Sequence, residues 1–214
     1  DEFVRFAASN SQVGLDEVVV IAQSVGAVLV ATWVHDYAPA IRGLVLASPA
    51  FKVKLYVPLA RPALALWHRL RGLFFINSYV KGRYLTHDRQ RVASFNNDPL
   101  ITRAIAVNIL LDLYKTSERI IRDAAAITLP TQLLISGDDY VVHRQPQIDF
   151  YQRLRSPLKE LHLLPGFYHD TLGEENRAQA FEKMQSFIRR LYANKSQKFD
   201  YQHEDGAGPS ADRW

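Results

Sequence analysis

The sequence predicts an α/β fold: a mostly parallel sheet flanked by helices, with a helical segment inserted partway along. Three observations carry this. Short β-branched runs alternate with longer stretches of helical periodicity. A strand, turn, helix, strand order opens the chain. From Phe51 to Ala126 the strand signal lapses, and it returns at Thr131.

The first strand is Val18-Val19-Val20-Ile21, a continuous apolar run of the kind buried on both faces of a parallel sheet. A helix over residues 26–37, rich in Ala, Val and Leu, follows at once, and Pro39 helps end it. Residues 41–47 form the next strand, closed by Ser48-Pro49, which completes a βαβ unit. Residues 51–126 read as amphipathic helices with loops near Gly82 and Asn96-Asn97-Asp98-Pro99. Residues 131–136 restore the strand pattern, 137–143 form a loop and 145–154 a helix. The last strand is 158–164. A long helix over 173–192 presents Ala180, Phe181, Met184, Phe187, Ile188 and Leu191 at helical spacing. Residues 1–194 are therefore one core with an insertion at about 51–126, and 195–214 a polar tail or linker.

With 214 residues, 48% hydrophobic and 22% charged, the chain is of globular composition. No apolar run reaches the ~18 residues of a membrane span, so a soluble, cytoplasmic protein is expected. Cysteine is absent, which excludes disulfides and thiolate metal sites. The charge is unevenly spread: residues 51–122 hold 13 Lys/Arg against 4 Asp/Glu, and the remainder 13 against 18. The chain opens on Asp1-Glu2-Phe3-Val4-Arg5, which reads as the inside of a helix, so a fragment or processed product is expected.

The chemistry gathers after three strands. Ala22-Gln23-Ser24-Val25-Gly26 is a Ser between small residues at a strand-to-helix turn, where a strained backbone lifts a hydroxyl above the sheet. The same pattern also suits a simple helix N-cap. A Ser hydroxyl becomes a nucleophile only with an imidazole to take its proton and a carboxylate to orient the imidazole. Asp139, in Gly137-Asp138-Asp139-Tyr140-Val141-Val142, and His169, in Pro165-Gly166-Phe167-Tyr168-His169-Asp170, follow the two later strands, at the end of the sheet where open α/β folds keep their sites.

This pattern resembles the α/β-hydrolase fold, and within it the monoacylglycerol lipase and lysophospholipase branch, also called serine aminopeptidase S33 or hydrolase 4. The resemblance rests on the order Ser24, Asp139, His169, on Asp139-x-Val-Val, and on Gly166-x-x-His169-Asp170 followed by Leu172 and Glu174. It spans about residues 2–193. It implies a serine hydrolase that cleaves carboxylic esters of lipid-like acyl substrates, with Ser24 as nucleophile, His169 as base and Asp139 as its partner. Val25 supplies a backbone N–H to the oxyanion, Ala22 and Gly26 flank the elbow, and the insertion is a lid. Asp138 competes with Asp139 for the acid position, which the resemblance gives to Asp139. Asp170 is expected to cap the last helix.

Two departures stand out. Ala22 occupies the place of the usual Gly, and the His-Gly segment with the early strands that supply a second oxyanion donor is absent. The resemblance leaves other readings open: acyl transfer or aminopeptidase chemistry on the same triad, or a non-catalytic module attached to a downstream domain such as a methyltransferase. No cofactor and no metal are expected. His35, His87, His143 and His162 read as ordinary surface or half-buried residues. The basic and apolar residues interleaved from Phe51 to Arg83 read either as solvated helix faces or as a peripheral membrane contact. No nucleic-acid module accompanies the charge.

Overall fold

The computed structural model describes the backbone of residues 1–204 and the side chains of 1–193. Among the described residues, four parallel strands form the central sheet: β1 (Val19–Gln23), β2 (Gly43–Ala47), β5 (Thr131–Ser136) and β6 (Lys159–Leu164), in the order β1-β2-β5-β6. Between β2 and β5 the chain forms two further strands, β3 (Phe75–Asn77) and β4 (Ala104–Ala106), paired antiparallel. The helices are α1 (Glu2–Asn10), α2 (Val25–Tyr37), α3 (Ala60–Arg71), α4 (Arg89–Asn97), α5 (Val107–Arg122), α6 (Gln145–Arg153) and α7 (Ala178–Glu204).

Alternation along the strands divides the core into two layers. Leu44 and Leu46 of β2 and Leu133 of β5 join Ala27, Val28 and Ala31 of α2, Ile120 of α5 and Phe150 of α6 on one face. Val45, Ala47 and Leu134 point the other way and pack against Ala180, Met184, Phe187 and Leu191 of α7. Each of the larger side chains contributes about 1.5–3 kcal/mol through burial. The helices on both faces leave the C-terminal strand ends open, and the chemistry gathers there.

Three sequence expectations need correction. β1 is half-buried: among the described residues it pairs with β2 alone, and Ile21 is 46% exposed. The insertion contains the β3–β4 pair, whose strands of three residues are too short to show a period in sequence. The last helix begins at Ala178, because residues 171–177 are first used in a 3-10 turn and a loop. It continues to Glu204, into the stretch expected as a tail, while residues 205–214 lie outside the described ones.

The expected insertion is not uniform. α5 buries Val107, Leu110, Leu111, Tyr114, Ser117 and Ile120 along one side and packs on α2 and α6, so it belongs to the core. α3 and α4 bury no residue. Among the described residues, no helix is long and apolar enough to cross a membrane.

Candidate active site

Ser24 sits at the turn from β1 into α2 with φ 56 and ψ −124, a conformation sparsely populated by residues other than glycine. The surroundings over-determine it. Its N–H donates to Ala47 O at 2.9 Å, and its carbonyl accepts from Ala27 N at 3.1 Å and from Ala50 N at 3.0 Å. Its side chain caps nothing, so the simple N-cap reading fails. Ser24 Oγ lies 2.7 Å from His169 Nε2 instead. The Val25 N–H, at the first position of α2, is among the donors that a helix leaves without an internal acceptor.

His169 Nδ1 is 2.8 Å from Asp139 Oδ2, and both residues are buried. An ionised carboxylate only accepts, so Nδ1 carries the hydrogen and Nε2 is free to accept from the Ser24 hydroxyl. The other oxygen, Asp139 Oδ1, accepts from Val141 N at 2.7 Å and Val142 N at 2.9 Å. The structure therefore brings Asp139, and not Asp138, to the imidazole. Asp138 Oδ2 instead accepts from Gly166 N at 3.1 Å and ties its loop to the turn before His169.

The elbow positions differ from the sequence argument in one respect. Ala22 packs on the core cluster, but a Cβ added to Gly26 would meet nothing within 4 Å. The neighbours present in this chain do not require a glycine there.

Several residues that hold the site were not singled out in sequence. Lys54 Nζ donates to Asp139 O at 2.5 Å, and Lys54 N donates to Val141 O at 2.8 Å. A bridge between Val53 and Val142 joins the same two segments. Tyr56 Oη donates to Tyr140 O at 2.5 Å. Burial, and after it the Asp139 charge and neighbouring phenols, raise the Tyr56 and Tyr79 pKa values, which keeps both hydroxyls as donors. Behind the histidine turn, Thr171 Oγ1 hydrogen-bonds to Ser48 Oγ at 2.8 Å and Ser136 Oγ at 2.9 Å, at the ends of β2 and β5.

Asp170 does not cap the last helix. Its Oδ1 accepts from Gln23 Nε2 at 2.9 Å, and its Oδ2 from Arg91 Nε of α4 at 2.9 Å. Gln23 Oε1 in turn accepts from Leu172 N at 3.0 Å. Glu174, 2% exposed, accepts from the Thr86 hydroxyl, the His87 N–H and ring, Tyr168 N and Glu175 N. Burial pulls its pKa up, the hydrogen bonds from Tyr168, His87 and Glu175 pull it down more strongly, and the net shift is downward. His87 is thus a partner of Glu174 and stacks on Tyr168, with ring centroids 3.9 Å apart. His35 and His162 pair with Asp36 and Glu160. The His143 pKa is lowered by burial and by Lys52 and Lys54.

A cavity of about 1600 Å³ opens at Ser24 and His169. Its lining is predominantly apolar, with Val28, Leu64, Trp67, Phe74, Ile76 and Leu110 among its walls. Such a space suits an apolar group placed beside a reacting centre.

Comparison with known proteins agrees with this architecture. The monoacylglycerol lipase of Paleococcus ferrophilus superposes with a TM-score of 0.75 at 16% identity, covering 90% of this chain and 73% of that one. Phospholipase YtpA of Bacillus subtilis is 24% identical over 176 residues, 79% of this chain and 67% of YtpA. YnbC of Escherichia coli is 96% identical over all 214 residues, and the chain spans 37% of the length of YnbC. The model of the hydrolase 4 family, described as serine aminopeptidase, S33, matches residues 1–176. The chain has the α/β-hydrolase fold and belongs to the hydrolase 4 (serine aminopeptidase S33) family.

Proposed function

We propose that this chain carries the nucleophile, base and acid of a serine hydrolase that cleaves carboxylic esters with an apolar acyl part, of the monoacylglycerol or lysophospholipid kind. The observation that supports it best is the unbroken relay Ser24 Oγ, His169 Nε2, His169 Nδ1, Asp139 Oδ2 at the mouth of the apolar cavity. Ser24 Oγ attacks the ester carbonyl carbon as its proton passes to His169 Nε2. The carbonyl oxygen becomes an oxyanion facing the Val25 N–H. The tetrahedral intermediate collapses, the C–O bond to the alcohol breaks, and His169 returns the proton to the departing oxygen. Water then attacks the acyl-Ser24 ester with His169 as base, the acyl–Oγ bond breaks as His169 returns that proton to Ser24 Oγ, and the carboxylic acid leaves.

The lining favours an ester with an acyl chain over an N-terminal aminoacyl substrate. A substrate ammonium group calls for an available carboxylate, and Asp112, the one carboxylate among the lining residues, already pairs with Lys115 Nζ at 3.2 Å. The names of YtpA, a phospholipase, and of the Paleococcus ferrophilus monoacylglycerol lipase point the same way. The test uses the full-length protein with pairs of substrates sharing one acyl group, as glycerol ester and as amide, beside aminoacyl amides. Faster turnover of the long-chain ester is expected. Equal or faster turnover of aminoacyl amides would overturn the ester reading.

A further inference from the structure

The cavity is apolar over most of its wall, but one stretch of chain gives it a polar and cationic end. Asn77, Ser78, Lys81 and Tyr84 all line it, and they follow one another closely in sequence. Lys81 is the one lysine or arginine among the lining residues, and the one carboxylate, Asp112, is taken by Lys115. Arg83 stands beside this end. Its Nη2 donates to the Tyr84 hydroxyl at 2.9 Å, and its guanidinium carbon lies 4.9 Å from the centre of the Tyr84 ring. The hydrogen bond from Arg83 first, then the charges of Arg83 and Lys81, lower the Tyr84 pKa, so both cations act at one hydroxyl. No acid answers them: residues 51–87 contain no Asp or Glu, and among the described residues neither Lys81 nor Arg83 has an ion-pair partner. Both are exposed and can be reached by a ligand. A few polar groups placed on an otherwise apolar pocket are what orient a bound molecule.

The ties of this segment to the histidine turn say which part of a substrate it meets. Leu85, which also lines the cavity, accepts from Asp170 N at 2.8 Å through its carbonyl. The Tyr84 ring lies 5.7 Å from that of Tyr140, the residue after Asp139, and Tyr140 lies 4.9 Å from Tyr168, the residue before His169. His169 returns a proton to the departing alcohol, so the alcohol part of the ester lies on the imidazole side of the site. Tyr84 and the cations at its hydroxyl belong to that side.

We infer that Lys81, Arg83 and the Tyr84 hydroxyl form a subsite for a phosphate group on the alcohol part of the substrate, so that the preferred ester is an acyl glycerol phosphate and not a neutral monoacylglycerol. Donors on three separate side chains suit an anion with three terminal oxygens, and hydrogen bonds to a charged acceptor are the strong ones. The acyl chain fills the apolar remainder of the cavity. The substrate's name rests on the hydrolytic reading above, whereas the subsite can be tested without turnover.

The test is calorimetric binding of two ether-linked analogues, which cannot be cleaved, to the full-length protein: the octyl ether of glycerol and its phosphate monoester, both below their micellar concentrations. The phosphate is expected to bind about tenfold or more tightly than the neutral ether, with a difference that shrinks as salt is added. Lys81→Glu and Arg83→Glu should each lower affinity for the phosphate by about tenfold or more, while Lys81→Arg keeps most of it. Circular dichroism checks that each variant is folded, and should one unfold, the other carries the test. Glycerol phosphate without the octyl chain should bind about tenfold or more weakly than its ether, because it leaves the apolar wall empty. Equal affinity of wild type for the two ethers would overturn the inference, as would a folded glutamate variant that binds the phosphate like wild type. Glycerol phosphate binding as well as its octyl ether would also overturn it, by making the site one for free phosphate esters. Turnover of the matched octanoyl esters is read separately. Preferential binding of the phosphate with neither ester cleaved would uphold the subsite and sink the hydrolytic reading, and cleavage with equal binding of the two ethers would do the reverse.

Discussion

Gln23, the residue before Ser24, donates a hydrogen bond of 2.9 Å to Asp170, the residue after His169. The elbow and the histidine turn are thus joined by neighbours on the far side of the Ser24–His169 contact, across 147 positions of sequence. Arg91 of α4 binds the second oxygen of the same carboxylate, so the insertion is tied to that joint as well.

Gln23 and Asp170 therefore act as positioning residues for the proposed chemistry. Gln23→Ala and Asp170→Ala should each lower kcat by about ten- to a hundredfold, since small misplacements of reacting groups are costly. KM should change little. Asp170→Asn, whose amide oxygen can still accept from Gln23, should retain most of the rate. Steady-state kinetics of the three variants provides the check, and an unchanged kcat in Asp170→Ala would contradict the positioning role.

Asp139 and Asp138 should separate sharply. Asp139→Asn leaves the imidazole without the acceptor that fixes its tautomer, and kcat should fall by about 10⁴-fold. Asp138→Asn removes a carboxylate that binds Gly166 N, outside the relay, and should cost less than about tenfold in rate. Comparable losses in the two variants would assign the acid wrongly.

Glu174 makes a pH prediction about stability. Its folded pKa lies below the ordinary glutamate value of 4.5. Its stabilising contribution is therefore complete above pH 4.5 and is lost as the pH falls through the lower folded value. Chemical denaturation across the acid range should show this loss in wild type and a shallower one in Glu174→Gln. At neutral pH, Glu174→Ala should cost about 3 kcal/mol, because it leaves Tyr168 N and His87 N without their acceptor. A Glu174→Ala variant as stable as wild type would contradict the account.

The core makes a simpler one. Phe187 is fully buried between α7 and the sheet, and Phe187→Ala should destabilise by about 3–5 kcal/mol in urea unfolding.

What was legible in sequence follows from how locally each feature is encoded. Ser24 is announced by the small residues around it and by the strand and helix on either side. Asp139 and His169 follow strand patterns that can be read within a short window, and their order carries information that survives without any contact. The joint from Gln23 to Asp170 and Arg91 is not legible in this way. Each is a polar residue of a common type, and their meeting depends on how the sheet and insertion are folded together. Lys54 illustrates the same limit from the other side. It reads as one more surface cation, yet its ammonium holds the backbone of Asp139.

A fluorophosphonate probe on the full-length protein reports whether Ser24 is an activated nucleophile. Wild type should be labelled on the peptide containing Ser24, Ser24→Ala should not be labelled, and His169→Ala should be labelled far more slowly. Equal labelling of wild type and Ser24→Ala, or no labelling of wild type, would contradict that role.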